Sequence, residues 1–168
     1  MRTAVTVFSL LAALLVSCNN DIPIIEMQEK KSISQNLINA NRYMSKSEDT
    51  QIDEFIERRR WNMQKLENGV RVMEYEYGKG TKTDYESRVK ISYTVSAISG
   101  AEIYPLQEAE ITVGKNEICP GLDAGLLKIH RGSKARIIVP SHLGYGVGGD
   151  GNRIPQSAII IFDIKEIN

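Results

Sequence analysis

The chain has 168 residues, enough for one ordinary domain with a modest extension. Lys plus Arg and Asp plus Glu each count 21, so the formal charge is zero, which speaks against a nucleic-acid-binding surface. Hydrophobic residues at 42% and charged residues at 25% match a folded globule, and the two cysteines, Cys18 and Cys119, exclude a disulfide framework or a zinc cluster.

After Arg2, the run from Ala4 to Val16 is apolar. It is too short to span a bilayer, which takes about 20 residues, and has the length of the apolar part of a signal peptide. It ends Leu15-Val16-Ser17-Cys18. That ending resembles the bacterial lipobox, which implies cleavage before Cys18 and acylation of its thiol; an ordinary signal peptide with an incidental cysteine is the alternative. Lipidation holds the chain at a membrane of the cell envelope, outside the cytoplasm. Asn19 does not favour inner-membrane retention, so the outer membrane is expected. Cys119 is then a free thiol or an apolar filler. The expected layout is a signal segment over 1–17, a tether over 18–32, a helical segment over 33–67 and a strand-rich domain over 68–168.

Residues 19 to 32 are polar and mixed, which predicts the tether. From Ile33 to Leu66 the apolar spacing is helical: Ile33, Leu37, Ile38, Ala40 and Met44 share one stripe. Ser47-Glu48-Asp49-Thr50 interrupts it, and Thr50 with Asp53 predicts a new helix start. Ile52, Phe55, Ile56, Arg59 and Met63 then continue the helical spacing. The basic run Glu57-Arg58-Arg59-Arg60 reads as a solvated face. These helices either pack on the main domain or pair with a second copy.

Asn68-Gly69 marks a turn, after which the period changes to two. Val70 to Tyr77 alternates and stops at Gly78-Lys79-Gly80. Val89, Ile91, Tyr93, Val95 and Ala97 alternate with polar residues as a strand, and Ser99-Gly100 turns it. Glu110 to Val113 reads as a short strand. Pro120 to Leu127 reads as one short helix with proline in its first turn. Lys134 to Val139 and Ala158 to Ile167 read as strands, and Ile159-Ile160-Ile161-Phe162 predicts burial on both faces. The expected class is α+β, an antiparallel sheet covering a short helix.

Several chemistries fail on spacing. Gly146-Val147-Gly148-Gly149-Asp150-Gly151 fits a dinucleotide fingerprint by letter, but it lies between Pro140 and Pro155 rather than between a strand and a helix. No P-loop lysine motif occurs. His130 and His142 lack ligand spacing, so neither metal nor cofactor is expected. Ser141 and His142 are adjacent, which is not how a nucleophile and its base are arranged.

Ordered runs carry a resemblance. They are Val89-Lys90-Ile91-Ser92-Tyr93-Thr94, Gly100 to Tyr104, Val113 to Leu122, Gly125-Leu126, Val139 to Gly146, Ile154-Pro155 and Ile161 to Ile164. From Val89 to its end the chain resembles the FKBP-type peptidyl-prolyl cis/trans isomerases. The Ile103-Tyr104 and Pro120-Gly121-Leu122 variants resemble the gliding-motility-associated lipoprotein branch. The resemblance implies an antiparallel β half-barrel wrapped on a short α-helix, preceded here by an N-terminal helical segment. Between sheet and helix it implies an apolar pocket for a proline ring.

Carried over by position, Tyr93, Ile118, Leu122, Tyr145, Ile154 and Phe162 fall on the pocket. Ile103 stands where the family usually has Phe, and Leu122 where it usually has Trp. Cys119 replaces an aliphatic residue whose backbone N–H receives a substrate carbonyl, and the Tyr145 hydroxyl bonds another. Tyr104 stands where the family usually has an Asp that accepts a hydrogen bond from the tyrosine matching Tyr93; its own hydroxyl is the substitute on offer. Together with Ile103 and Leu122, that change points to weakened isomerase activity. On alternation alone, Tyr93, Ile118 and Phe162 also read as ordinary core, and the loop from Gly144 to Gly151 as a flexible rim.

The expected function is isomerisation of X–Pro bonds in exported polypeptides at the cell envelope. The alternatives are a catalytically weak chaperone that holds unfolded chains, and a structural part of a gliding or secretion machine. The expected partners are proline-containing unfolded or exported polypeptides, the membrane through Cys18, and a second copy through the N-terminal helices, with no nucleic acid.

Overall fold

The computed structural model describes residues 24–168; the signal segment and the lipidation of Cys18 fall outside them. Two compact units divide the chain, residues 1–40 and residues 41–168. In the first, the described residues are helical, and Ile33, Leu37 and Ile38 are exposed. No described helix is long and apolar enough to cross a membrane.

Helix α1 runs Ile24–Arg59 without a break. It therefore begins inside the stretch expected as a tether, and it ends before the expected Leu66. The polar residues at 47–50 do not interrupt it. Thr50 bonds back to the Lys46 carbonyl at 3.1 Å, and the acidic side chains reach partners across the fold. The helix ends because Arg60 takes φ 54°, the left-handed C′ conformation. Its N–H reaches the Glu57 carbonyl and the Trp61 N–H reaches that of Ile56, the two bonds of a Schellman motif. Beyond it the chain forms β1 (Gln64–Lys65), which the helical spacing of Met63 concealed.

The other elements are β2 (Arg71–Glu76), β3 (Arg88–Ala97), β4 (Glu102–Thr112), α2 (Pro120–Leu126), β5 (Lys134–Val139) and β6 (Ile160–Ile167). The six strands make one sheet in the order β1-β2-β5-β6-β3-β4, with every pairing antiparallel. This is the α+β arrangement expected, a sheet wrapped on a short helix. Strand β4 is far longer than the Glu110–Val113 segment visible in the alternation. Its register against β3 slips between Tyr104 and Gln107, which enclose Pro105. Proline has no N–H for a ladder, so an edge strand and an irregular register are where it is tolerated.

Helix α2 lies against β5. A Cβ at Gly121 would overlap the Val139 side chain, and one at Gly125 the Ile137 side chain, so only glycine allows this approach. The main core fills the concave side: Val89, Ile91, Val95, Leu122, Leu126, Ile137, Ile160, Phe162 and Ile164 are all buried there. On the opposite side of the sheet, Ile52 and Phe55 of α1 cover Ile138, Ile159 and Ile161. The run Ile159 to Phe162 is thus buried on both faces, alternate residues serving two cores. Arg71, also buried, ties this side together: its guanidinium meets Asp49 at 3.1 Å, Asp53 at 2.7 Å and the Gly69 carbonyl.

Candidate functional site

Strands β3 and β6 are neighbours, with Val95 opposite Phe162 and Tyr93 opposite Ile164. This diagonal relation brings the Tyr93 and Phe162 rings to 5.7 Å between centroids at an interplanar angle of 56°. Helix α2 contributes Leu122, its N-cap is Cys119, and Ile118 precedes it. The extended backbone of Cys119 (φ −161°, ψ 154°) and Pro120 at the first helical position start this helix. A 3-10 turn at Ser141–Leu143 delivers Tyr145, the long loop ends at Ile154, and β4 supplies Ile103 and Tyr104.

All nine side chains expected at the site gather on one apolar cluster. Their exposure divides them. Leu122 is 0%, Cys119 1%, Phe162 1% and Ile154 4% exposed, so these four are closed over. Tyr93, Ile103, Tyr104, Ile118 and Tyr145 are half-buried around them and form the accessible surface.

Burial sets the protonation of the polar members. The Cys119 thiol is pushed up to about 11 by desolvation. Desolvation, then the proximity of Cys119 and Tyr93, pushes the Tyr145 phenol up to about 12. Tyr93 is raised by the same two influences, burial first and then Cys119. At neutral pH the centre of the site is therefore uncharged. Two hydrogen-bond donors there have no protein partner among the described residues: the Cys119 backbone N–H and the Tyr145 hydroxyl.

The Tyr104 hydroxyl finds its partners in the glycine-rich loop rather than at Tyr93. It donates to the Asp150 carboxylate and accepts from Asn152 Nδ2 at 3.2 Å. That hydrogen bond raises the Tyr104 phenol and holds the Asp150 carboxyl below its usual range. A carboxylate is thus present beside position 104, but it comes from the glycine-rich loop. Asp150 also accepts the backbone N–H of Asn152 at 2.9 Å and of Ile154 at 2.8 Å. Arg153 donates to the Ile103 carbonyl at 3.3 Å, and its guanidinium lies 5.6 Å from the Tyr104 ring centre. The loop expected as a flexible rim is pinned at its tip.

Sequence reasoning missed Asp150, Asn152 and Arg153. The signal was present in Asp150-Gly151-Asn152, where an aspartate accepts the N–H two residues on, but the cross-strand anchor at Tyr104 had no local signature. Among the described residues no three His, Cys, Asp or Glu side chains gather as a metal site.

The family model described as FKBP-type peptidyl-prolyl cis-trans isomerase matches residues 79–166, more than half of the chain. FK506-binding protein 2 of Dictyostelium discoideum is 32% identical over 90 residues, 51% of this chain and 68% of that protein. Peptidyl-prolyl cis-trans isomerase FKBP9 of Homo sapiens is 52% identical over 56 residues, 33% of this chain. The chain spans only 10% of the length of that relative. Among solved structures, a peptidyl-prolyl cis-trans isomerase from Pseudomonas syringae pv. tomato has a TM-score of 0.61 at 22% identity, covering 76% of this chain and 95% of its own. FkpA from Escherichia coli has a TM-score of 0.57 at 20% identity, covering 86% and 71%. At these identities the two structures speak for the fold, while the family model and the Dictyostelium relative speak for descent. The chain belongs to the family of FKBP-type peptidyl-prolyl cis-trans isomerases.

Proposed function

We propose that this chain catalyses cis/trans isomerisation of X–Pro bonds in exported polypeptides, held at the cell envelope by a lipid on Cys18. One observation carries the catalytic part: the aromatic rings of Tyr93, Tyr145 and Phe162 gather around two unused hydrogen-bond donors, the Cys119 N–H and the Tyr145 hydroxyl.

The physical demand on such a site is small. Resonance keeps the imide planar behind a barrier of about 18–20 kcal/mol, and the twisted transition state has lost that resonance. The accessible surface made of Tyr93, Ile103, Ile118 and Tyr145 receives the prolyl ring, the Tyr145 hydroxyl takes one carbonyl oxygen as the bond turns, and the Cys119 N–H takes another once the substrate parts the cover over it. Binding the twisted form better than the planar one lowers the barrier, each 1.36 kcal/mol giving about tenfold. This requires no nucleophile, because no bond is broken.

The test is protease-free isomerisation of a short X–Pro peptide by the full chain in mild detergent. Turnover that saturates with peptide supports the reading, and a folded chain with no turnover overturns it. A second reading has its own observation. Leu122, Phe162, Cys119 and Ile154 are closed over, which favours a surface that holds an unfolded chain without turning its prolines. That reading expects suppression of client aggregation by a chain that is silent in the peptide assay.

The lipoprotein reading rests on Leu15-Val16-Ser17-Cys18, and Asn19 supports the outer membrane. Cys18→Ala is expected to leave the chain soluble or unprocessed, and unchanged membrane fractionation with normal processing overturns it. Ile103-Tyr104 and Pro120-Gly121-Leu122 support placement in the gliding-motility-associated branch. Exposed Ile33, Leu37 and Ile38 support pairing of two copies through the N-terminal helices. Sedimentation of the full chain decides that point.

A further inference from the structure

The 3-10 turn at Ser141–Leu143 stands just ahead of Tyr145 and has no cap of its own. Its N-cap is Pro140, which offers no side-chain acceptor, so the first N–H of the turn must find its partner elsewhere. The partner is Glu48 of α1, which lies 93 residues away in sequence. One carboxylate oxygen accepts the Ser141 N–H at 2.9 Å, and the other accepts the Ser141 hydroxyl. Both residues are buried, Glu48 at 8% and Ser141 at 7% exposure. A carboxylate with so little exposed surface needs its oxygens engaged, and here a single residue engages both. Two bonds fix direction as well as distance.

The two ends of this contact are themselves held. On the helix side, Ile52 and Phe55 are packed on Ile138, Ile159 and Ile161, and Asp49 holds both Arg71 and Lys65. On the loop side, the N–H groups of Leu143 and Gly144 both return to the Pro140 carbonyl at 3.1 Å. The chain then passes directly into Tyr145. The carboxylate therefore joins the packed helix to the hydrogen-bonded turn, and Gly144 alone separates that turn from Tyr145.

We infer that Glu48 is a positioning residue for Tyr145: through one carboxylate, the helix packed behind the sheet sets where the phenol stands beside Cys119 and Tyr93. Its effect on turnover rests on the isomerase reading above. Its effect on the geometry of the loop does not.

Three full-length variants test this. Glu48→Ala removes both acceptors. Glu48→Gln keeps one for the Ser141 N–H. Asp53→Ala removes one of the two carboxylates on Arg71 and leaves the Glu48–Ser141 pair intact. Two quantities are read in each: kcat and KM for an X–Pro peptide, and amide hydrogen exchange at Leu143 and Gly144. Glu48→Ala is expected to lower kcat about tenfold with KM within twofold and to speed exchange at both amides at least tenfold. Glu48→Gln is expected to recover most of both effects, and Asp53→Ala to shift thermal stability while leaving both near the parent. Exchange at Leu143 and Gly144 unchanged in Glu48→Ala overturns the inference, as does an equal response in Asp53→Ala. If the parent has no turnover, the isomerase reading falls, and the exchange measurement alone decides the positioning of the loop.

Discussion

The Tyr104 hydroxyl donates to the Asp150 carboxylate and so binds strand β4 to the tip of the glycine-rich loop. The same carboxylate organises the tip internally through the N–H groups of Asn152 and Ile154. Position 104 therefore reaches the loop through the Asp150 carboxylate. Asp150→Ala is expected to lower kcat/KM for an X–Pro peptide by about tenfold, because a loosened loop no longer holds Tyr145 and Ile154 in place. Asp150→Asn, which keeps one acceptor, is expected to fall between this and the parent. Equal rates for all three chains would sink the anchoring role.

Tyr145 makes a separate expectation. Its hydroxyl has no protein partner among the described residues, and burial keeps it protonated up to about 12. Tyr145→Phe removes one donor without changing the ring. A single lost hydrogen bond is worth about 1 kcal/mol, which corresponds to roughly a fivefold drop in kcat/KM. Thermal stability is expected to hold, since the ring that packs on the cluster remains. A variant as fast as the parent would show that the hydroxyl is idle.

Cys119 is expected to be chemically quiet. Its thiol is buried and raised to about 11, so almost none is thiolate at neutral pH, and thiolate is the reactive form. In a Cys18→Ala chain it is the one thiol. A disulfide reagent should modify that chain at least a hundredfold more slowly in the folded state than in denaturant. Comparable rates would show that the site opens freely, which would in turn make Leu122 and Phe162 accessible to a prolyl ring.

Acid should weaken the fold through three carboxylates. Burial alone would raise Glu74, but hydrogen bonds from the His130 N–H, the Ser133 hydroxyl and the His130 ring outweigh it and hold the group below its usual range. Asp49 is likewise lowered: burial opposes the shift, while Lys65 and Arg71 overcome it. Asp150 is lowered by its bond from Tyr104. A carboxylate depressed in the folded state contributes stability that is complete above its unfolded value and is lost as pH falls through its folded value. Denaturant midpoints should thus be flat through neutrality and drop below about pH 4, the ordinary carboxylate range. Glu74→Gln should be less stable at neutral pH and show a shallower acid decline, and a decline as steep as the parent's would exclude Glu74 as a contributor.

Much of this was legible in the residues, for identifiable reasons. Alternation in Val89 to Ala97 located one central strand, because it lines a buried face, and the turn Arg131-Gly132-Ser133 located the start of another at Lys134 to Val139. The ordered runs around Tyr93, Ile118, Tyr145 and Phe162 located the cluster that the fold assembles. Three things were hidden. Strand β4 was hidden because an edge strand buries little, so Glu102 to Ala109 shows no apolar period. The end of α1 was hidden because Arg60 occupies a left-handed position where glycine is the usual sign. The roles of Glu48 and Asp150 were hidden because each acts on a residue far away in sequence, Ser141 and Tyr104, and no local pattern encodes a partner at that range.

Strand β4 forms one border of the sheet, and its side chains bear on how the molecule meets any other extended chain. Extended chains add readily to an open sheet margin, where bare N–H and C=O groups invite another strand. Here that margin carries Pro105, which offers no N–H, inside a register slip that bends the line of the backbone. Exposed Glu102, Glu108 and Glu110 flank it, the last two paired with Lys90 and Arg88. An extended chain arriving at this margin thus finds no continuous ladder on which to zip. The border discourages other strands from adding to the sheet and the molecule from seeding aggregation through it.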